Sequence, residues 1–250
     1  MVRQANLLSR IAAVILILPA LALAGPPFIT DDPEPVDLRH WEIYVATNFE
    51  HDPTGLSGTL PHLEVNYGAV KNMQLHLILP AAYARLSDGT RNFGYGDTEA
   101  GVKYKFVDQS TGRPSIGVFP LIEIPTGNED RGLGSGHLQV LLPLWIQKDW
   151  NNWTTYGGGG YFFDTQDRSA NYWIFGWEGQ RNLGEHLTLG GELFAIEPDA
   201  TDLRSSLNFN IGGQINVNDK NHILFSSGRS IKGDTDFLFY LAYQWTFGPK

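Results

Sequence analysis

Ionisable residues recur in this 250-residue chain in a way that could do chemistry. Glu42, Glu64, His76, Glu99, Lys103, Lys105, Glu123, Glu178 and Glu192 are each flanked on both sides by apolar or small residues. On extended strands, successive side chains point to opposite faces, so this spacing collects the charges on one surface and the greasy neighbours on the other. A closed surface lined by such groups can select solutes by charge and hydrogen bonding. It can equally be a network that satisfies itself and fills a narrow interior, and the two roles are compatible. A hairpin around residues 108–113 would set Glu99 beside Glu123, with Lys103 and Lys105 below them. Tyr44, Phe119, Trp145 and Phe194 share the charged parity, with Tyr156 and Phe162 as further candidates. Such rings suit small aromatic solutes by stacking, or simply occupy space.

Other motifs promise less. The seven histidines contain no close pair at metal-ligand spacing, and only His62 and His76 fall on adjacent strands with the same parity, so no metal site is expected. Ser135-Gly136-His137 invites a nucleophile reading, since some membrane barrels cleave lipid, but no residue that would orient the histidine can be named. The loop Gly132-Leu133-Gly134-Ser135-Gly136 lacks the Lys-Ser/Thr and following helix of a phosphate loop. No cofactor is implied. The run Gly157-Gly158-Gly159-Gly160 marks sharp curvature or close packing within a strand.

The elements that must carry these residues are short alternating segments. Residues 237–247 show the pattern best, with Phe237, Phe239, Leu241, Tyr243, Trp245 and Phe247 on one parity. Alternation predicts strands at 40–50, 60–70, 73–84, 97–107, 114–125, 137–148, 152–164, 172–181, 186–197, 205–218, 221–230 and 236–248. Connections alternate too. Those at 71–72, 149–151, 182–185 and 219–220 are tight, and 108–113 is of the same kind. Those at 51–59, 85–96, 126–136, 165–171, 198–204 and 231–235 are mostly longer. Short turns on one side and longer loops on the other, with about twelve strands, describe an all-β, antiparallel, up-and-down transmembrane barrel. A lysine facing mid-bilayer costs about 2–4 kcal/mol, so the charged parity must face the lumen. Arg229 falls on the lipid parity, which predicts either a register-resetting bulge near 226–228 or a position close to the headgroups. The rival is a soluble sandwich or lipocalin-like barrel. It would need a very large sheet with managed edges, which closure removes. Trp41, Tyr83, Trp150, Trp153, Trp173, Tyr243 and Trp245 near segment ends fit interfacial girdles and favour the membrane.

Composition agrees. Arg3 and Arg10, the apolar run 11–21 and Ala22-Leu23-Ala24 make residues 1–24 a signal peptide, which implies export. Its removal takes the formal net charge from −9 to −11, because it contains two arginines and no acid. Such a balance argues against nucleic acid as a partner. The absence of cysteine excludes disulfides and thiolate metal sites. Residues 25–39 (GPPFITDDPEPVDLR) lack alternation and form a proline-rich lead: a periplasmic extension, a plug folded into the lumen, or a loosely held terminus. Residues 40–250 make the barrel.

Three stretches carry a resemblance: Phe93-Gly94-Tyr95-Gly96-Asp97-Thr98-Glu99-Ala100-Gly101-Val102-Lys103-Tyr104, Glu123-Ile124-Pro125-Thr126-Gly127 and the 132–136 loop. Together they resemble the outer-membrane family named for the meta-pathway of phenol degradation. The resemblance implies a barrel that lets small aromatic or hydrophobic compounds cross the bacterial outer membrane, and it implies no catalytic residue. The leading expectation is therefore a monomeric channel in outer-membrane lipid, lined by the charged residues above, His76 and Tyr156. A lipid hydrolase, and a structural or loop-binding barrel without transport, are the alternatives.

Overall fold

A computed structural model describes residues 26–166, 171–199 and 205–249. The expected signal peptide and parts of the loops at 165–171 and 198–204 lie outside them. Alternating sequence becomes fourteen strands: β1 (Trp41–Asp52), β2 (Gly55–Val70), β3 (Met73–Leu86), β4 (Arg91–Tyr95), β5 (Thr98–Val107), β6 (Ser115–Val118), β7 (Leu121–Ile124), β8 (Gln139–Trp150), β9 (Trp153–Asp164), β10 (Tyr172–Asn182), β11 (Leu187–Pro198), β12 (Ser206–Asn218), β13 (Asn221–Lys232) and β14 (Phe237–Phe247). β4 and β5 pair with successive parts of β3, and β6 and β7 with successive parts of β5. Each couple is one crossing, which makes twelve staves. All pairings are antiparallel between neighbours, and β1 pairs with β14 from Trp41↔Phe247 to His51↔Phe237, closing the ring. The twelve staves thus close on themselves, as a backbone crossing lipid requires, and β4, toward the loop end, pairs with β3 alone.

The breaks have identifiable causes. Proline lacks an N–H, so Pro120, between β6 and β7, returns nothing to the strand whose Val102 N–H it accepts at 3.1 Å. Pro80 likewise takes the Gly96 N–H at 3.0 Å without donating to the Gly96 carbonyl. The Thr126 hydroxyl donates to that carbonyl instead, at 2.8 Å.

Two stretches read as loops, 51–59 and 85–96, are largely strand. The turn at Pro53-Thr54 is held by Asp52 Oδ1, which accepts from Thr54 N at 2.8 Å and Thr54 Oγ1 at 2.6 Å. The turn after β3 uses Asp88 Oδ1 accepting Thr90 N at 2.8 Å, and Gly89 at φ 89°. A short Asx turn suffices where alternation suggests a long connection, so pairing continues up both hairpins. On the other side, Asn72 (φ 62°) and Asn151 (φ 54°) supply the left-handed residues of tight turns.

The faces divide as the parity argument requires. Leu75, Leu142, Leu144, Phe175, Trp177 and Ile211 are exposed on the outside, whereas Glu42, Glu64, Lys103, Glu178 and Glu192 are buried inside. Aromatics mark both ends of the outer wall: Trp41 packs on Tyr67 with ring centroids 4.3 Å apart, and Tyr161 on Trp173 at 4.9 Å. Arg229 keeps the lipid parity, opposite Phe209, three positions from the loop end of β13. The register shift in that pair lies beyond it, at Ile231, because Leu207 pairs with Lys232 and Asn208 with Ser230. No bulge occurs at 226–228; Arg229 is simply high on the wall.

Candidate lumen and its N-terminal lead

Inward positions of β1–β3 and β5 build a first polar group. Tyr44 donates to Glu42 at 3.0 Å and accepts from Gln244 at 2.9 Å. His76 bridges the wall: Nε2 lies 2.8 Å from Glu99, while Nδ1 lies 2.7 Å from Asn66 Oδ1 and 3.7 Å from Glu64. The Asn66 amide donates to Glu64 at 2.7 Å. Glu123 stands directly opposite Glu99, as the hairpin at 108–113 implies.

The lysines below are engaged elsewhere. Lys103, 4% exposed, sends Nζ to Asp31 at 2.9 Å and Asp32 at 3.6 Å, over the Phe119 ring at 5.0 Å. Lys105 pairs with Glu34 and lies 3.4 Å from Asp108. Asp31, Asp32 and Glu34 all belong to the lead, which runs inside the barrel. Burial pushes the Asp32 carboxyl up from its ordinary range, and Lys103 opposes that rise.

The lead's course follows from its contacts. At the turn side Arg39 N donates to Gly68 O at 2.7 Å, and Val36 N to Gln74 Oε1 at 2.9 Å. Higher up it has crossed to the opposite wall. Glu192 accepts Ile29 N at 2.9 Å, Thr30 N at 2.8 Å and the Asn210 amide at 2.6 Å. Ser226 Oγ donates to Pro27 O at 2.6 Å. Glycine in the wall makes the room. A Cβ at Gly176 would stand 2.0 Å from Thr30 Oγ1, and one at Gly117 would stand 2.9 Å from Pro33 Cβ. The alternation of the strands carries no trace of these contacts. The complement of DDPE in the lead and Lys103/Lys105 in the wall was their one visible signal.

Glu178 is fully buried between Tyr156 and Glu192 in register, and its carboxylate oxygens have no hydrogen-bond partner among the described residues. Tyr44, Phe119, Trp145, Tyr156 and Phe194 are buried with it inside the wall. Two cavities adjoin the lead. One of about 140 Å³ is lined by Phe28, Tyr44, His76, Glu99, Lys103 and Phe119. One of about 500 Å³ opens at the turn side, beneath the lead and against β10–β14.

The three stretches behind the family resemblance meet at one carboxylate. Asp97 Oδ1 accepts Gly127 N at 2.8 Å, and Oδ2 accepts Ser135 N at 2.6 Å and Ser135 Oγ at 2.8 Å. Leu133, 4% exposed, is tucked beneath, and Arg131 reaches Phe93 O at 3.2 Å. Ser135 Oγ also lies 2.9 Å from His137 O, while the His137 ring turns to Asp164 at 3.3 Å. The serine is thus held by a carboxylate and a carbonyl rather than by an imidazole.

Solved structures share this architecture. The COG4313 outer membrane channel from Pseudomonas putida F1 is similar at TM-score 0.72, with 16% identity over 86% of this chain and 98% of that one. The KdgM porin is similar at TM-score 0.59, with 11% identity over 82% and 99%. The NanC porin is similar at TM-score 0.58, with 6% identity over 83% and 100%. A search of curated protein sequences finds no match. The model of the family described as "Putative MetA-pathway of phenol degradation" matches residues 57–246, from β2 to the last strand. The chain belongs to that family.

Proposed function

We propose that the protein is a passive outer-membrane channel for small solutes, exported by the signal peptide at 1–24 and acting as a monomer. The observation that carries this reading is a polar lumen with a polar strand of chain laid through it, inside a wall whose outer face is apolar. Glu42, Glu64, His76, Glu99, Lys103, Lys105, Glu123, Tyr156, Glu178 and Glu192 line the path, and the lead narrows it. With the staves closed and the free side of β4 covered by residues 126–136, the ring has no need of a partner strand, which supports the monomer. The finer reading, that the solutes are aromatic or hydrophobic, rests on the buried interior aromatics. The 140 Å³ cavity beside Phe28, Tyr44 and Phe119 is on the order of the roughly 150 Å³ hole that holds benzene in another protein. The lipid-hydrolase alternative has no comparable support, since Ser135 is spent on tying down a loop.

Single-channel recording in planar bilayers tests the reading. The full chain is expected to give small, discrete conductance steps, and a chain lacking residues 26–37 markedly larger ones. A correctly folded barrel that passes no current in either form overturns it.

A further inference from the structure

Where the lead crosses the lumen, it leaves half of the turn-side mouth unfilled, and that half is chemically distinct from the rest. Five staves, β10 to β14, send uncharged hydrogen-bonding side chains into the 500 Å³ cavity, among them Gln180, Asn182, Thr188, Gln214, Asn216 and His222. None of the aromatic residues of the lumen lines it. The groups are held in place by one another. Thr188 Oγ1 donates to Asn182 Oδ1 at 2.7 Å, and Gln214 Nε2 donates to Asn216 Oδ1 at 2.6 Å. His222 Nδ1 lies 2.8 Å from that same oxygen. Asn216 is anchored in turn to Glu185 O at 3.2 Å. At the edge of the array the Thr246 hydroxyl is buried, with no hydrogen-bond partner among the described residues.

We propose that this vestibule is a binding subsite for uncharged, hydroxyl-rich small molecules of the saccharide class. Such solutes present adjacent groups that both donate and accept, which amides, hydroxyls and imidazole match from either side. A rigid array loses little freedom when it binds. The volume lies within the range of small-molecule sites, roughly 300–1,000 Å³. The charged members of the lining include Asp37, Glu185 and Asp219, whose carboxylates accept from hydroxyls and repel anions, so an acidic sugar is disfavoured. The mid-lumen, with Lys103 and its aromatic neighbours, asks for something different. The subsite needs only the folded barrel and does not depend on the channel reading.

Isothermal titration of the full-length barrel in a zwitterionic, sugar-free detergent tests it, with maltotriose, trigalacturonate and benzyl alcohol as probes. Saturable binding of maltotriose is expected, at least about tenfold tighter than trigalacturonate. Gln214→Leu with Asn216→Leu should weaken it by about tenfold or more, the loss of two net hydrogen bonds. Thr246→Val, a near-isosteric change at a strand end, should weaken it by a few-fold while heat-modifiable migration on gels stays that of the folded barrel. No saturable maltotriose binding, preference for trigalacturonate or benzyl alcohol, or binding indifferent to all three substitutions each overturns the subsite. A barrel that binds maltotriose but passes no current sinks the channel alone, and one that conducts without binding sinks the subsite alone.

Discussion

Asp97 shows how much one carboxylate can organise. It collects two backbone N–H groups and a hydroxyl from a loop 30 to 38 residues away, holding residues 126–136 against the exposed edge of β4. Hydrogen bonds to a charged acceptor contribute about 1.5–3 kcal/mol each, and orphaning the donors costs more than deleting both partners. Asp97→Ala should therefore destabilise the barrel by about 3 kcal/mol and open the 126–136 loop to protease, whereas Ser135→Ala should cost about 1 kcal/mol. Thermal melts and limited proteolysis measure both, and equal effects would contradict this assignment. Lys103 is the second such residue. Lys103→Met leaves Asp31 and the buried Asp32 without their cation, a loss of about 3–5 kcal/mol for a buried pair. That loss should appear as a loosened lead, read as faster labelling of a cysteine placed at Thr30, which is buried while the lead is seated.

At the scale of elements, most of the architecture was legible and the reasons are plain. Alternation located all twelve staves because lipid outside and polar groups inside impose a strict period of two on each crossing. Such patterning is blind to interruptions. The split into β6/β7 comes from a missing proline donor that leaves the alternation intact, whereas at β4/β5 the register against β3 slips by one residue and the parity turns over between Tyr95 and Glu99. The strand content of 51–59 and 85–96 was hidden because a two- to four-residue Asx turn looks, in sequence, like any polar loop. The sequence allows two explanations of Arg229, and the register shift at Ile231, beyond it, leaves the high position on the wall. Of the candidate site, the inward residues were readable one by one; their partners in the lead were not, because Glu192 and Thr30 lie 162 positions apart. The wall glycines give an element-scale test. Gly176→Val has no space while Thr30 is seated, so it should expel the upper lead and raise conductance, as the 26–37 deletion does. Gly179→Val meets nothing within 4 Å and should leave conductance unchanged.

For the whole molecule, charge is distributed between two bodies that share one space. The lead carries Asp31, Asp32, Glu34 and Asp37, while Lys103 and Lys105 belong to the wall and are neutralised by it. With the lead in place, the charged groups that border the space beside it are mainly carboxylates, which favours cations. Removing residues 26–37 takes away four acids and uncovers both lysines, so reversal potentials in a salt gradient should shift toward anions. An unchanged potential would mean that permeating ions do not pass the lead at all.

The contact between Ser226 and Pro27 spans 199 positions of chain. Pro27 therefore reaches its seat only once β13 has joined the wall. The acidic part of the ribbon can meet Lys103 and Lys105 on β5 earlier, but its upper end has no partner until the far half of the ring is in place. Full occupancy of the bore thus waits on the last strands, and a ring still open at β13 would hold its ribbon by the lower half alone.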